Sequence, residues 1–349
     1  MIALDAMGGD HAPTVTVHGA LNAAKQGIPV CLYGDEARIV PLLDQADPAW
    51  RSSPLSLVHC SQTISMGEEP SRSVLKKKDA SLVCAMQAVA DGTATAVISA
   101  GNSGAALVAG TLLLGRSEGV LRPALGNFIP TKNGSLFCID LGATTDAKVD
   151  YLEQYALMGH LYVRNHRNIP NPRVALLSNG AEPYKGSQLV KDAYDRLMQL
   201  PINFVGNLEA RYIFDDHADV LVTDGFSGNV MLKAIQGTAK TVTTWLKQEV
   251  ARLPWYRRLL FSAGKPAFNR LSTTIGYADK PGALLLGLAH PLIIAHGCAN
   301  ALAIERAIIW AQQMALRQEV ELFNAELADL FQASKVTVHG KEQGSQPEL

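Results

Sequence analysis

The chain has 349 residues, of which 48% are hydrophobic and 18% charged, and its 31 Lys and Arg residues offset 32 Asp and Glu residues to give a net charge of −1. This composition can bury a large core and excludes global disorder, and the balanced charge excludes a globally basic nucleic-acid-binding protein. No apolar run reaches the roughly 18 residues of a transmembrane helix, and the first residues lack the basic and apolar regions of a signal peptide. The five cysteines contain no CxxC pair, a pattern that favours a reduced, cytoplasmic setting over a disulfide framework or a zinc ribbon.

Six segments repeat one pattern along the chain: a short apolar run, a turn rich in Gly, Ser, Asn and Asp, and then a stretch compatible with a helix. They are residues 2–9, 96–104, 137–146, 174–186, 220–229 and 292–297. Continuous apolar runs are typical of strands buried on both faces, and the intervening segments, such as 83–90 and 189–200, can each bury one helical face. The pattern predicts a three-layer α/β/α fold with a doubly wound, mostly parallel sheet. Ligands of such a sheet bind beyond the carboxyl ends of its strands, where these polar turns lie.

Glycine-rich turns between strand and helix offer backbone N–H groups that attract anions. The best examples are Gly8-Gly9, the GNSG turn at 101–104 and the GFSGN turn at 225–229. We expect them at one edge of the sheet, where they would bind phosphate or a similar anion. The chain contains no GxxxxGK[ST] motif, which argues against hydrolysis of a nucleoside triphosphate. A dinucleotide enzyme is a weaker alternative, because Asp35 ends a second apolar run but no GxGxxG follows the first strand.

Two side chains at these turns are candidates for chemistry. Lys185 in AEPYKG and Asn229 in DGFSGN each follow an apolar run. A lysine can neutralise a phosphate and an asparagine amide can stabilise an oxyanion, although either residue can also simply decorate a helix end. Ser227 does not fit the GxSxG nucleophile elbow, and His296 is either a hydrogen-bond donor at the site or a structural histidine. The chain has neither an HExxH motif nor a tight Asp and His cluster, so no metal is predicted.

Two basic segments stand apart from the sheet pattern. Arg72 and the three lysines at 76–78 follow SMGEEPSRS; they form either a solvated helix face or a docking patch for an acidic partner, with Arg72 turned towards a phosphate. The segment 252–278 has five cations, no acid and many interleaved aromatic and aliphatic residues. Such a segment predicts a short helical hairpin that contacts an anionic membrane or packs on another subunit. Its expected membrane-contact residues are Trp255, Tyr256, Leu259, Leu260 and Phe261.

Several longer motifs together resemble one enzyme family, the bacterial phosphate acyltransferases (acyl-ACP:phosphate transacylases) of phospholipid synthesis, over roughly residues 1–333. The motifs are DAMGGDHAP (5–13), SMGEEPSRSVLKKKDASL (65–82), ISAGNSGAALVAG (98–110), SNGAEPYKGSQLV (178–190), FVGNLEAR (204–211), DVLVTDGFSGNVMLKAIQG (219–237) and GALLLGLAHPLIIAHG (282–297). Two stretches depart from the family pattern, at 140–152 and at Cys298-Ala299.

The resemblance implies a fold similar to isocitrate dehydrogenases and phosphotransacetylases. It implies one catalytic unit over residues 1–333 with a protruding hairpin at about 250–278, and a flexible tail at 334–349. The expected reaction moves a long-chain acyl group from acyl carrier protein to inorganic phosphate, without a cofactor. A membrane acyltransferase then uses the acyl phosphate to acylate glycerol 3-phosphate, and contact with that enzyme is a further expectation. The implied protein is a cytoplasmic homodimer that associates peripherally with the inner face of the membrane.

By motif match, the family's catalytic residues correspond to Lys185 and Asn229. We expect Lys185 to screen the phosphate, Asn229 to donate to the oxyanion, and the glycine turns to supply backbone N–H groups. Residues expected to bind phosphate and substrate are Gly8, Gly9, Asp10, Arg72, Gly101, Asn102, Ser103, Gly104, Gly225, Ser227, Gly228 and His296. Two alternatives remain open: a phosphotransacetylase that uses a short acyl-CoA, and a membrane-surface scaffold that binds carrier protein without catalysis.

Overall fold

The computed structural model describes residues 1–254 and 280–334. Its described strands form a single sheet of eleven, in the order β3-β2-β1-β4-β11-β10-β5-β6-β9-β7-β8. The strands are β1 (Ile2–Asp5), β2 (Val30–Gly34), β3 (Leu55–His59), β4 (Ala96–Ser99), β5 (Ala124–Pro130), β6 (Ser135–Ile139), β7 (Arg173–Ser178), β8 (Asn203–Glu209), β9 (Val220–Val222), β10 (Ala283–Leu286) and β11 (Leu292–Ile294). Each of the six predicted apolar runs contains a strand, so that prediction is confirmed.

The described part of the chain has ten α-helices, which connect and cover these strands. They are α1 (Thr14–Lys25), α2 (Glu36–Ala46), α3 (Pro70–Lys76), α4 (Ser81–Ala90), α5 (Ser103–Ala109), α6 (Val149–Arg167), α7 (Gln188–Leu197), α8 (Gly225–Arg252), α9 (Ala301–Leu316) and α10 (Glu319–Ser334). Side-chain oxygens of Asp35, Asn102 and Asp224 accept hydrogen bonds from the first turns of α2, α5 and α8. These caps supply partners for N–H groups that a helix leaves unpaired at its start.

The core lies on both faces of the sheet, as the three-layer prediction requires. Alternate residues of one strand enter different cores: Ile2 and Leu4 pack with α1 and α9, whereas Ala3 packs with α4 and α5. A third cluster places Met231 of α8 against strand residues such as Leu221. Strands buried on both faces need apolar residues at every position, and this explains the continuous runs in the sequence.

Strand direction divides the sheet into two halves. Seven of its ten neighbouring pairs are parallel, and three antiparallel pairs (β11 with β10, β10 with β5, β5 with β6) join the halves. These three antiparallel pairs reverse the strand direction three times, so β1, β4 and β11 run opposite to β6, β7 and β9. The carboxyl ends of the two sets therefore lie at opposite edges of the sheet. The expectation that all the glycine-rich turns share one edge is wrong, because the antiparallel strands β5 and β10 intervene.

The basic hairpin predicted from 252–278 falls almost entirely on residues 255–279, outside the described ranges, and so do its five expected membrane-contact residues. The tail beyond Ser334 also lies outside them. Among the helices that the structure describes, none combines the length and apolarity needed to span a bilayer.

Candidate active site

The turns after β1 and β4 are built around a buried carboxylate. Asp5 is 3% exposed, and its oxygens accept hydrogen bonds from Ser81 Oγ (2.6 Å) and Ser99 Oγ (2.7 Å). Ser99 Oγ in turn accepts the N–H of Gly101 at 3.1 Å. Burial raises the pKa of Asp5, and these hydrogen bonds partly oppose that shift. The carboxylate thus fixes the first turn of the chain relative to the start of α4 and the end of β4.

Close backbone contact explains the glycines at these turns. A Cβ on Gly8 would lie 2.7 Å from the Gly101 nitrogen, and a Cβ on Gly9, which has φ +112°, would lie 3.3 Å from the Gly297 carbonyl oxygen. The Asp10 N–H donates to that same Gly297 carbonyl at 2.8 Å. The turns after β1, β4 and β11 therefore meet at one point, which we call the β1 cluster (residues 8–10, 101–104 and 296–297). Ser103 is exposed beside it and Gly104 is half-buried.

The Asn102 side chain in this cluster is engaged within the protein. Its Oδ1 accepts the Ala105 N–H at 3.0 Å, and its Nδ2 lies 3.1–3.3 Å from the carbonyl oxygens of Ser65, Met66 and Glu68. Only 9% of the residue is exposed. The Asn102 amide therefore holds the 65–68 loop against the turn. Its contribution to ligand binding is to position that loop.

His296 borders the β1 cluster and contacts α8. Its Nε2 lies 3.1 Å from Gln236 Nε2 and its Nδ1 lies 3.4 Å from Cys298 Sγ. Burial and the charge of Lys233 lower the pKa of His296, and Asp10 opposes them. The imidazole is therefore neutral near pH 7, so it can donate or accept one hydrogen bond without adding charge.

A second buried carboxylate organises the turn after β6. The Asp140 carboxylate accepts four backbone N–H groups, those of Leu125 (3.0 Å), Gly142 (3.0 Å), Ala143 (2.9 Å) and Thr144 (2.7 Å). Burial nevertheless raises its pKa to about 6, because the four donors only partly offset the desolvation. The carboxylate sets the path of the 140–144 loop.

This loop packs against the start of α8. A Cβ on Gly225 would lie 2.6 Å from Asp140 Oδ2, and a Cβ on Gly228 would lie 2.0 Å from the Asp140 carbonyl oxygen. Both glycines are therefore required for close packing. The 140–144 loop, the first turn of α8 and the loop that carries Lys185 make up what we call the β9 cluster.

The N–H groups at the start of α8 are mostly occupied, contrary to our expectation that residues 225–228 supply free donors. The Gly225 N–H donates to the Thr144 carbonyl (2.9 Å), the Ser227 N–H to Asp224 Oδ1 (2.8 Å) and the Gly228 N–H to the Asp224 carbonyl (2.9 Å). The acidic cap Asp224 takes the place that an anionic ligand would use. The side chain of Asn229 is a further donor at this end of the helix.

Asn229 lies in the first turns of α8, half-buried, and its amide has no hydrogen-bond partner among the described residues. It faces the 140–144 loop, since a Cβ on Gly142 would lie 3.5 Å from Asn229 Cγ and 3.7 Å from Oδ1. The chemically useful end of the side chain is thus positioned but unused. A ligand at this loop can receive its hydrogen bond.

Lys185 lies at the same edge of the sheet as Asn229, because β7 and β9 are adjacent and parallel. It sits in the loop before α7, not at the helix start as its sequence position suggests. Its N–H donates to the Glu182 carbonyl (3.0 Å), which also accepts Asn207 Nδ2 (2.9 Å). The exposed ammonium has no ion pair among the described residues. Its Nζ lies 5.8 Å from the centroid of the Tyr184 ring.

Helix α8 connects the two clusters. Asn229 lies at the β9 cluster, and Gln236, seven residues further on, reaches His296 of the β1 cluster. Seven residues of α-helix span about 10 Å. Residues of α8 thus contribute to both clusters, Asn229 to one and Gln236 to the other.

The basic segment around Arg72 borders the β1 cluster. Helix α3 begins against the turn after β4, where a Cβ on Gly104 would lie 2.7 Å from Pro70 Cγ. Lys77 is committed to Glu68 (2.7 Å) and holds the pKa of that carboxyl down at about 2. Arg72 and the other two lysines are exposed, and their side-chain cations have no partner among the described residues.

Sequence reasoning missed Asp5, Asp140, Asp224 and Lys233. Asp5 and Asp140 stand directly after apolar runs and Asp224 stands one residue after such a run, a position that could have marked them as buried carboxylates or helix caps. Lys233 lies inside a long helix, where spacing alone does not show which cluster it faces.

Comparison with known proteins shows which family the chain resembles. A model of the family described as "Fatty acid synthesis protein" matches residues 1–322. The chain is 46% identical over 315 residues to a phosphate acyltransferase of Oceanobacillus iheyensis, covering 90% of this chain and 93% of that protein. It is 42% identical over 329 residues to a phosphate acyltransferase of Geobacillus thermodenitrificans, covering 93% and 98%.

Among solved structures, the fold is similar to a phosphotransacetylase from Streptococcus pyogenes, with a TM-score of 0.58, 15% identity and coverage of 91% and 94%. It is also similar to a branched-chain phosphotransacylase from Enterococcus faecalis, with a TM-score of 0.53, 13% identity and coverage of 90% and 98%. These likenesses confirm the predicted fold class. With two relatives above 40% identity over nearly their full length, the chain belongs to the phosphate acyltransferase family.

Proposed function

We propose that this enzyme transfers a long-chain acyl group from acyl carrier protein to inorganic phosphate, with Lys185 and Asn229 as the residues that act on the reacting groups. The observation that carries the proposal is the Asn229 amide, positioned by the 140–144 loop and free of any described partner, at the same sheet edge as the Lys185 ammonium. A cation and an amide donor suit a reaction that joins an anion to a carbonyl group.

The chemistry needs positioning more than a strong base. Phosphate at neutral pH is already an anionic oxygen nucleophile, and a thiol with a pKa near about 8.5 is a fair leaving group from a thioester. Phosphate oxygen attacks the thioester carbon, the tetrahedral oxyanion receives the Asn229 N–H, and the C–S bond then breaks to release the carrier thiolate. Lys185 reduces the repulsion between the phosphate and the oxyanion. Holding the two reactants together supplies much of the remaining acceleration.

The exposed face of α3 suits the docking of an acidic carrier protein. Arg72, Lys76 and Lys78 lie there, together with Leu75 (57% exposed) and, from the preceding loop, Met66 (53% exposed). We call these five residues the α3 surface. It adjoins the β1 cluster, since Met66 Cε lies 3.1 Å from a Cβ built on Gly297. Cations around exposed apolar side chains favour docking of an acidic helix over simple solvation.

Helix α8 supports the proposal of a homodimer. Of its 28 residues only Gly225, Gly228 and Met231 are buried. Large apolar side chains remain exposed along it, among them Phe226 and Trp245, each at 62%. Apolar surface of this extent on a long helix is typical of a subunit or membrane interface. The basic segment that follows α8 supports peripheral contact with an anionic membrane on its sequence alone.

A comparison of acyl donors tests this function. Turnover is measured with palmitoyl-ACP, palmitoyl-CoA and acetyl-CoA at matched concentrations, with phosphate saturating. We expect the highest kcat/KM with palmitoyl-ACP and little turnover with acetyl-CoA. Activity confined to acetyl-CoA would make the enzyme a phosphotransacetylase, and carrier binding without turnover on any donor would leave only a scaffold.

A further inference from the structure

Two cysteines and an aspartate that belong to neither cluster meet beside the start of α4. Cys60 follows β3, Asp79 precedes α4, and Cys84 lies near the start of α4. One ligand atom from each residue lies within 4.8 Å of the other two. The cysteines are 24 positions apart in the chain, so their spacing carries no metal-binding signal and only the fold brings them together.

The oxygen and sulfur atoms of these three residues lie at distances close to those in a tetrahedral metal site. Cys84 Sγ lies 3.8 Å from Asp79 Oδ1. The second carboxylate oxygen, Oδ2, is held by the N–H (2.7 Å) and the hydroxyl of Ser61, which leaves Oδ1 to face the sulfurs. Tetrahedral zinc, with bonds of about 2.3 Å to sulfur and about 2.0 Å to oxygen, places neighbouring ligand atoms about 3.5–3.8 Å apart. The side chains need to close in by no more than about 1 Å to match these bond lengths.

We propose that Cys60 Sγ, Cys84 Sγ and Asp79 Oδ1 bind a thiophilic divalent cation, for which Zn²⁺ is the best match. Water completes the tetrahedron from the exposed Asp79 side. The hydrogen bonds from Ser61 orient the ligating carboxylate, as outer partners do in established metal sites. On binding, each thiol loses a proton to solvent, and two S–Zn bonds and one O–Zn bond form without any redox change.

Metal binding fits the pair better than disulfide formation. The carboxylate of Asp79 lies beside the two sulfurs and gives a cation a third ligand, which a disulfide would not use. A metal ion stabilises the thiolate by direct bonding and needs no oxidant. The ion would fasten α4 to the end of β3. Because Ser81 at the start of α4 donates to Asp5, the site would also stabilise the position of the Asp5 carboxylate, which lies under the turns of the β1 cluster.

Cobalt binding to the full-length, reduced, chelator-treated protein tests the proposal. Co²⁺ is added stepwise while the thiolate-to-cobalt charge-transfer absorption is followed. We expect saturation at one Co²⁺ per chain and loss of the absorption when Zn²⁺ is added. Cys84→Ser should abolish it, and Cys298→Ser, which removes an exposed cysteine outside the trio, should not. No charge-transfer absorption in the unsubstituted protein, or an undiminished one in Cys84→Ser, would overturn the proposal.

A second variant keeps the test independent of folding. Asp79 is exposed, and Asp79→Asn should weaken Co²⁺ binding by at least about tenfold, since even residues behind the ligands change metal affinity by about 10–100-fold. Zn²⁺ should raise the Tm of the unsubstituted protein and leave that of Cys84→Ser unchanged, with the two metal-free proteins unfolding at similar temperatures. Equal Zn²⁺ affinity in Asp79→Asn and the unsubstituted protein would contradict the assigned ligand set.

Discussion

Replacing Asp140 with asparagine tests whether the buried carboxylate serves the site or the stability of the fold. The substitution keeps the shape of the side chain and removes its charge. Asparagine can still accept at one oxygen, where Leu125, Gly142 and Ala143 donate. At the other position its NH₂ group faces the Thr144 N–H, which loses its acceptor. The 140–144 loop must therefore move where it meets α8.

Two effects on stability oppose each other near neutral pH. Burial raises the pKa of Asp140 from 3.8 to about 6, and at about 1.4 kcal/mol per pKa unit the ionised carboxylate destabilises the fold by about 3 kcal/mol relative to a neutral group. Asparagine avoids that cost. Leaving the Thr144 N–H unpaired costs about 1–3 kcal/mol. We therefore expect the free energy of unfolding of Asp140→Asn to stay within about 2 kcal/mol of the parent near pH 7.

The pH dependence follows from the sign of the shift. Because the folded pKa is raised, the stabilising contribution of Asp140 is present below pH 3.8 and is lost as the pH rises through about 6. The variant lacks this dependence. The free energy of unfolding of both proteins is measured in urea at about pH 4.5 and about pH 7.5. Relative to the parent, Asp140→Asn should be more stable at the higher pH than at the lower pH by about 2 kcal/mol.

Activity should fall although the fold survives. The moved loop displaces the groups next to Asn229, and a displacement of about 1 Å can cost about 10²-fold in rate. We expect kcat to drop by about that factor. Asp219→Asn, at the other end of β9 where the carboxylate binds Arg173, is the matched control and should lower stability with kcat unchanged. Normal kcat in Asp140→Asn, or a similar loss in Asp219→Asn, would refute the reasoning.

Four further variants address the remaining assignments. Asn229→Ala should lower kcat by about 10²–10³-fold with the fold intact, as loss of an oxyanion donor does, measured by steady-state turnover and circular dichroism. Lys185→Ala should chiefly raise the KM for phosphate, measured by varying phosphate at saturating donor. Charge reversal of Arg72 and Lys76 to Glu should raise the KM for acyl-ACP, lower its salt dependence and leave an acyl-CoA donor unaffected, because rim charges act on association. Trp255→Glu should weaken sedimentation with anionic vesicles but not with neutral ones.

Each of these assignments has its own contrary result. Near-normal turnover in Asn229→Ala would remove it from the reaction, and an unchanged phosphate dependence in Lys185→Ala would do the same for the lysine. If charge reversal of Arg72 and Lys76 lowered turnover equally with acyl-ACP and acyl-CoA donors, the α3 surface would have a structural role and would not dock the carrier protein. Unchanged vesicle binding in Trp255→Glu would reject a membrane role for that segment.

The strands were predictable because the sheet is buried on both faces. Runs such as 96–98 and 220–222 contain no polar residue, and this constraint is local enough to read from sequence. Strand direction was not predictable, because the apolar run of β10 is like those of the parallel strands and β5, which includes Gly126 and Asn127, carries no direction signal of its own. Their reversal follows from pairing with distant strands and determines which turns share an edge.

The site was predictable where a backbone constraint selects the residue. Gly8 and Gly228 leave no room for a Cβ, so they appear in the sequence as glycine-rich turns. Lys185 and Asn229 were predicted from their place after strands and from family resemblance, and their roles stay predictions. The sequence could not show whether the N–H groups at the start of α8 are free for a ligand. A capping residue such as Asp224 competes with a ligand only through the geometry of its side chain.

Phosphate-dependent release of the carrier thiol from palmitoyl-ACP, with hydroxylamine trapping of the product, tests the central claim most directly. Hydroxylamine reacts with acyl phosphates and also with thioesters, so it is added only after the remaining palmitoyl-ACP has been removed, and the hydroxamate then reports the acyl–phosphate bond. We expect thiol release to require phosphate and to match hydroxamate formation one for one. Thiol release that proceeds without phosphate, or that yields free fatty acid and no hydroxamate, would contradict acyl transfer to phosphate by this enzyme.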